Sequence, residues 1–195
     1  MVQDKLPINI LAPAKAKEET KEPVKDSIAE DPYAQFKWSP DVKPMQGPYK
    51  TQSVNNRARN AYLYYVNEKG LPKQVAAGIV GNLYHESGLR TDAEEKEHTG
   101  NGRGIAQWDV RNRWPALQKW AAKQGKDPMN ITTQLDYVLV EPGWGDEALK
   151  RTMKATTPEE AAMIFGKFYE RPNEKYASWD IRKGAADTLH RIPTI

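Results

Sequence analysis

From Ser53 onward, apolar residues in this 195-residue chain recur at the spacing of packed α-helices. The clearest example is the segment 72–86, in which Val75, Ile79 and Leu83 follow one another every four residues and so share one stripe of a helix. The pattern therefore predicts a mainly α-helical domain.

Helices are predicted over residues 55–69, 72–86, 111–124, 131–140, 158–170 and 176–191, so we expect six or seven in all. Ser53 is the expected N-cap of the first helix, Gly70 its C-terminal stop, and Pro72 a first-turn residue of the second helix. The segment TGNGRGIAQ, residues 99–107, contains three glycines and resists a helical interpretation. It predicts a loop or a short hairpin.

The first fifty residues differ in composition from the rest, because they hold half of the fourteen prolines. Such a segment cannot bury enough apolar surface to offset chain entropy. We expect an extended N-terminal arm over 1–50 and one domain over 51–195. Tyr33, Phe36 and Trp38 lie together in the arm, and they fit either an anchor on a partner protein or a loop that folds back on its own domain.

Composition excludes several classes of function. The net charge of +3 is too small to argue for nucleic acid, and the chain has no cysteine for disulfides or thiolate metal sites. The three histidines lack metal-site spacing, and TGNGRG lacks the lysine of a P-loop, so neither a cofactor nor a metal is expected. The N-terminus is unlike a signal peptide, and no segment predicts a membrane span.

Glu86 ends the apolar segment NLYHESGLR and lies about 20° from Val75 and Ile79 on a helical wheel, so it leaves the helix on the apolar face. Partial burial and the negative end of the helix dipole both favour the protonated form of a carboxylic acid. Gly88 then lets the chain turn away. The pattern predicts an acid facing a cleft, and the alternative is a glutamate exposed at a frayed helix end.

Four sequence blocks carry a resemblance to a known family. They are GLPKQVAAGIVGNLYHESGL, GRGIAQWDVRNR, TTQLDYVL and ATTPEEAAMIFGKFYERP, and they occur in that order over nearly all of the last 140 residues. Together they resemble the phage tail lysozyme domain family, which is related to goose-type lysozymes and soluble lytic transglycosylases. The resemblance implies a lysozyme-like helical fold and an activity on peptidoglycan.

Carried over residue by residue, the resemblance makes Glu86 the proton donor to the glycosidic oxygen. It implies that the Gln107 amide bonds the sugar, that the Trp108 indole stacks on it, and that Gly104 lets the backbone approach closely. Core packing is the alternative for Trp108. Tyr169 is expected to reach toward the catalytic acid.

The expected second carboxylate is Asp109, which follows the Gln-Trp pair and would position a water or stabilise an oxocarbenium-like transition state. Further candidates come from the acidic segment TDAEEKEH, which we interpret mainly as a solvated charge run; they are Asp92, Glu94, Glu95 and Glu97. Glu170 fits a structural pairing with an arginine such as Arg111 or Arg113.

These observations predict an enzyme of the phage virion that cleaves between N-acetylmuramic acid and N-acetylglucosamine, as a lysozyme or a lytic transglycosylase. The resemblance implies assembly in the host cytoplasm, anchoring to a tail or internal virion protein through the arm, and action in the periplasm or cell wall. Two alternatives are a non-catalytic tail or ejection protein with the same fold and a chitinase-like hydrolase.

Overall fold

The structure of the chain is a computed structural model that describes residues 52–95 and 100–194. Within these ranges the fold is mainly helical, with seven α-helices and one two-stranded sheet. The predicted fold class of the domain is confirmed. The predicted arm over 1–50, with its three aromatic residues, lies outside the described residues, as does Glu97.

The helices are α1 (Gln52–Leu63), α2 (Lys73–Ser87), α3 (Arg113–Lys123), α4 (Ile131–Val140), α5 (Gly145–Thr152), α6 (Pro158–Phe165) and α7 (Trp179–His190). The strands are β1 (Gly102–Arg103) and β2 (Trp108–Asp109). Two π-helical turns, Tyr64–Glu68 and Gly166–Glu170, extend α1 and α6, and a 3-10 turn, Glu174–Tyr176, precedes α7.

The observed helices follow the predicted ranges closely. The range 131–140 is that of α4, and α6 with its π-helical turn covers 158–170. Gly70 has the expected positive φ, at 66°. Two predictions were wrong: Ser53 lies inside α1 and is not its N-cap, and Pro72 precedes the first turn of α2. The short helix α5 was not predicted, because its eight residues carry too few apolar positions to show a period.

Helix α2 is the centre of the core, with most of its residues buried and with α6 and α7 packed against it. Glycines set the distance of approach. A Cβ on Gly78 would lie 2.6 Å from the backbone of Ala161 in α6, and one on Gly81 would lie 2.7 Å from the carbonyl oxygen of Arg182 in α7. These close contacts hold the C-terminal end of α2 in a fixed place relative to both neighbours.

The glycine-rich segment forms the short hairpin that was one of its two predicted conformations. Strands β1 and β2 are antiparallel, with Gly102 opposite Asp109 and Arg103 opposite Trp108. An isolated bridge joins Glu94 to Arg103, so the segment that follows α2 runs beside β1. The fold thereby brings the hairpin next to the end of α2.

Candidate active site

The end of α2 is tied directly to the hairpin turn. Gly88 adopts the left-handed conformation, with φ 62°, and its N–H donates to the carbonyl oxygen of Tyr84 at 3.0 Å, as expected for a helix that stops there. The hydroxyl of Ser87 donates to the carbonyl oxygen of Ile105 at 2.7 Å. Arg57 donates from α1 to the Gly88 carbonyl oxygen at 3.0 Å. Glu86 therefore stands on a braced helix end and not on a frayed one.

A buried glutamine from α4 holds the other side of the turn. Gln134 accepts the Ile105 N–H at 3.0 Å, and it donates to the carbonyl oxygens of Thr91 and Pro128 at 3.1 and 2.9 Å. Gly104 has φ 71°, and a Cβ at this position would lie 2.8 Å from the Gln134 side-chain oxygen. Packing against Gln134 therefore explains why position 104 is a glycine. This explanation does not need a sugar close to the backbone.

Replacing Gln134 by alanine is expected to lower the free energy of unfolding by about 2 to 4 kcal/mol, because a buried N–H and two carbonyl oxygens lose their partner. Urea denaturation measures the change. Gln118→Ala on the exposed face of α3 is the matched control, with an expected change below about 0.5 kcal/mol. Equal effects of the two substitutions would show that the hydrogen bonds of Gln134 do not stabilise the fold.

The carboxylate of Glu86 has a buried arginine as its partner. Arg182 Nη2 donates to Glu86 Oε1 at 2.6 Å, and the Arg182 side chain is only 2% exposed, whereas the Glu86 side chain is 19% exposed. The other two nitrogens of Arg182 donate to Asn82 Oδ1 at 2.9 Å and to the Ala177 carbonyl oxygen at 2.7 Å. The sequence predicted an acid among apolar neighbours and did not predict the cation Arg182.

His85 adds no second charge at this position. Its Nδ1 lies 4.0 Å from Glu86 Oε1, and among the described residues it has no hydrogen-bond partner. Burial, and then the charge of Arg182, lowers the pKa of His85 to about 4. The imidazole is therefore neutral at neutral pH, and Arg182 is the cation that Glu86 meets.

Glu86 faces a pocket of about 270 Å³ between the end of α2 and the hairpin. Its lining residues are Glu86, Glu95, Asn101, Gly102, Gln107 and Asp109. The fold therefore brings together three of the predicted site residues, namely Glu86, Gln107 and Asp109. Gln107 has φ 49° and donates its side-chain N–H to the Gly104 carbonyl oxygen at 2.9 Å, which fixes the amide at the pocket wall.

Asp109 is held in its ionised form. Its carboxylate accepts from the Arg111 guanidinium and from the Arg111 backbone N–H at 2.8 Å. These bonds lower the pKa of Asp109 to about 2. Asp109 is thus a fixed negative charge at neutral pH, and its bond to Arg111 excludes the predicted pairing of Arg111 with Glu170.

Other members of the acidic segment divide between the pocket and the surface. Glu95, whose carboxylate accepts the Asn101 backbone N–H at 3.2 Å, lines the pocket. Glu94 pairs with Arg103 at 3.4 Å and Asp92 pairs with Arg90 at 3.2 Å, both in exposed positions. Glu95 is therefore the one described member of this segment at the pocket wall.

Trp108 and Tyr169 lie behind the pocket and do not line it. Both are fully buried. The indole Nε1 donates to Glu141 Oε2 and to the Tyr169 hydroxyl, each at 3.0 Å, and that hydroxyl donates to Glu141 Oε2 at 2.6 Å. A fully buried indole has no face open to a sugar ring, so Trp108 packs in the core in this structure. The Tyr169 hydroxyl reaches Glu141.

Sequence reasoning missed Arg182 and Glu141. The sequence indicates that Arg182 is buried, because it lies at helical spacing from Ala185, Ala186 and Leu189 on the buried stripe of α7. No pattern indicates burial of Glu141, since it follows the last residue of α4 in a proline-glycine turn. Both are buried charged residues, which occur when paired.

A second pocket, of about 630 Å³, adjoins the first at Asp109, which borders both. Its apolar wall includes Ala116, Tyr137 and Pro142, and its polar groups include Asn112, Arg113 and Glu170. The ring of Trp144 lies under the guanidinium of Arg171 at 4.0 Å. The two pockets, which share Asp109 as a lining residue, are called the groove below.

The model of a family described as phage tail lysozyme matches residues 56–192, which is most of the chain. The chain belongs to the phage tail lysozyme family. All four sequence blocks fall inside the matched range, and the family assignment supports a lysozyme-like role on peptidoglycan in a phage.

Two further findings describe this phage tail lysozyme domain. Among residues 52–95 and 100–194, no helix has the length and apolar character needed to cross a bilayer. In the same ranges, no three histidine, aspartate or glutamate side chains come together in a way that could hold a metal ion.

Proposed function

We propose that this protein cleaves the glycosidic bond between N-acetylmuramic acid and N-acetylglucosamine in peptidoglycan, with Glu86 as the general acid. The observation that supports the proposal is the placement of Glu86. It is a mostly buried acid on a braced helix end, and it faces a pocket that also contains the ionised Asp109. An acid beside a fixed carboxylate is the arrangement that glycoside cleavage uses.

The protonated carboxyl of Glu86 donates to the oxygen of the scissile bond as that bond breaks. The carboxylate left behind is stabilised by Arg182, whose Nη2 lies 2.6 Å from Glu86 Oε1. Stabilising a charge that develops during the reaction is the effect that lowers a barrier. Arg182 therefore favours the transition state over the resting acid.

Asp109 faces the same pocket as a permanent negative charge and stabilises the positive charge that develops on the sugar ring. Gln107, fixed by its bond to Gly104, presents its amide oxygen for the N–H of a sugar acetamide group. The adjoining 630 Å³ pocket takes the next sugar of the strand. The residues proposed to contact the substrate are thus Glu86, Gln107 and Asp109, while Gly104, Trp108 and Tyr169 support the groove from behind.

We further propose that residues 1–50 anchor the enzyme to a tail or internal virion protein, and that the particle carries it to the periplasm or cell wall. A proline-rich arm joined to a folded domain suits such an attachment.

Digestion of purified peptidoglycan by the full chain tests the proposed function. We expect soluble muropeptides, and mass spectrometry of the new sugar ends identifies the reaction, since a hydrolase leaves a reducing sugar and a transglycosylase leaves a 1,6-anhydro ring. Release from chitin alone would assign the groove to a chitinase-like hydrolase. No release from either polymer would favour a non-catalytic tail protein.

A further inference from the structure

Arg171 lines the second pocket, directly after the π-helical turn Gly166–Glu170 ends. Its backbone has φ 49° and ψ 48°, the left-handed region that residues other than glycine seldom adopt. Among the described residues, four that are not glycine have positive φ, and two of them, Gln107 and Arg171, line the groove. Backbone strain of this kind concentrates at functional sites, which indicates that the Arg171 side chain has a function.

The guanidinium of Arg171 has a fixed position at the pocket wall. It lies over the ring of Trp144, 4.0 Å from the ring centroid, and its Nε donates to the Phe168 carbonyl oxygen at 3.0 Å. The guanidinium of Arg113 lies over the same ring, at 4.3 Å. Stacking on an indole attracts a cation and orients its planar fork of N–H groups. Arg171 is therefore an exposed but oriented positive charge.

Arg171 differs from the other arginines at the groove in having no acidic partner. Each of the others pairs with a carboxylate, and the pairs are Arg111–Asp109, Arg113–Glu141 and Arg182–Glu86. Among residues 52–95 and 100–194, no acid pairs with Arg171, and the Phe168 carbonyl oxygen accepts the one hydrogen bond that its side chain donates. Its two terminal nitrogens are therefore open to a ligand.

The acids that border the second pocket leave Arg171 unpaired. Glu141 accepts from Nε and Nη2 of Arg113 at 2.7 and 2.9 Å, so the predicted pairing of Glu170 with Arg113 is wrong. Burial raises the pKa of Glu170 well above 4.5, which favours its neutral form. Asp109 is matched by Arg111. Among the described residues that line this pocket, Arg171 is thus the charge without a counter-charge.

The chemistry of this wall indicates a carboxylate as the ligand. A planar guanidinium donates two parallel hydrogen bonds to a carboxylate, and this geometry is specific to that partner and to phosphate. The pocket wall beside it is apolar, with Ala116, Tyr137 and Pro142, and suits the face of a sugar ring. Peptidoglycan combines both features, because the lactyl branch of N-acetylmuramic acid, or the peptide joined to it, carries carboxylates. Chitin has similar acetamido sugars and no carboxylate.

We propose that Arg171 binds a carboxylate on the lactyl-peptide branch of an N-acetylmuramic acid in the second pocket, and that this contact makes the groove select peptidoglycan over neutral chitin. The inference rests on the proposed function for its substrate, and it names the group that decides specificity. Arg171 borders the second pocket and Glu86 the first. Arg171 therefore contributes to holding the strand and not to the transfer of the proton.

Binding to insoluble peptidoglycan tests the contact without reference to activity. The Glu86→Gln chain is sedimented with native peptidoglycan, and with peptidoglycan whose carboxyl groups have been converted to amides by carbodiimide and ammonia. In this background Arg171→Gln should weaken binding to the native polymer by about fivefold or more, and binding to the amidated polymer by less than about twofold. Equal weakening on both polymers, or none on either, would overturn the proposal.

Peptide-free glycan distinguishes the two sources of the carboxylate. An amidase that removes the peptides leaves each lactyl group with a free carboxylate, and calorimetry measures binding to these strands. A loss of binding in Arg171→Gln that persists on the peptide-free strands assigns the contact to the lactyl carboxylate. A loss confined to the peptide-bearing polymer assigns it to the peptide. Both results agree with the proposal.

Arg151→Gln is the matched control. Arg151 also lies over an aromatic ring, that of Phe168 at 4.2 Å, but it pairs with Glu147 and borders neither pocket. Its loss removes the same charge and should leave binding within about twofold of the parent. An equal loss in both variants would show a general effect of net charge and overturn the proposal.

Arg171→Gly separates the contact from the fold. Glycine adopts positive φ without strain, so this variant should keep the melting temperature of the parent or raise it, while it loses binding as Arg171→Gln does. A glycine variant that folds and binds native peptidoglycan at the parental affinity would overturn the role of the side chain.

The kinetics test the role of the contact in the proposed reaction. In an active parent, Arg171→Gln should raise KM for native peptidoglycan by about fivefold or more and change kcat by less than about twofold, because the contact is made before and during the reaction alike. A fall in kcat with KM unchanged would overturn the binding role. A parent that is inactive on peptidoglycan would overturn the proposed function, and the binding experiment would then decide the contact.

Discussion

Replacing Glu86 by glutamine is expected to reduce the release of soluble peptidoglycan fragments by at least about 100-fold, because an amide cannot donate the proton that the leaving oxygen requires. The fold should survive. The amide oxygen can still accept from Arg182 Nη2, which lies 2.6 Å from Glu86 Oε1, and Arg182 keeps its bonds to Asn82 and Ala177. Initial rates on purified peptidoglycan give the activity, and circular dichroism and thermal unfolding report the fold.

The matched control is Glu94→Gln. Glu94 carries the same chemical group close to the same pocket, but its side chain is 58% exposed and pairs with Arg103 outside the pocket. Its activity should stay within about twofold of the parent. A Glu86→Gln protein that folds and still releases fragments at the parental rate would remove Glu86 from the role of general acid.

The parts of the fold that could be predicted depend on local patterns. The stripe of Val75, Ile79 and Leu83 predicted α2, and Gly88 predicted where it ends, because both signals act within a few residues. The π-helical turn before Arg171 could not be predicted in this way. Its buried residues are Gly166 and Tyr169, and no local spacing in the sequence distinguishes such a turn from a continued α-helix.

Of the residues that the sequence assigned to the site, Glu86, Gln107 and Asp109 line the pocket, and the burial of Trp108 has a geometric cause. Successive residues of a strand point to opposite faces, so Trp108 and Asp109 cannot both enter the pocket. In the structure Asp109 faces the pocket and Trp108 faces the core. The resemblance placed both of these adjacent residues against the substrate. In β2 their side chains point to opposite faces.

The charged pairs of the site could not be predicted, because they join residues far apart in the chain. Arg182 and Glu86 are separated by 96 positions and Arg113 and Glu141 by 28. The position of Arg182 on a buried stripe indicated a buried cation but not its partner. Only the packing of α2 against α7 brings the two charges together.

Glu141→Ala is expected to cause the largest loss of stability, about 3 to 5 kcal/mol, because it leaves a mostly buried guanidinium without its counter-charge. The Glu141 side chain is 3% exposed and that of Arg113 is 15% exposed. The substitution also removes the acceptor of the Trp108 indole N–H and the Tyr169 hydroxyl. Chemical denaturation at neutral pH measures the change in the free energy of unfolding.

Glu147→Ala is the control for Glu141→Ala, since it removes a half-exposed glutamate that pairs with Arg151 one turn along α5. It should cost less than about 1 kcal/mol. The double variant with Arg113→Ala should cost less than the sum of its two single changes, because no unpaired guanidinium remains. Additive costs would show that Arg113 and Glu141 act independently, and the network behind the groove would then owe its stability to packing around Trp108 and Tyr169 and not to the ion pair.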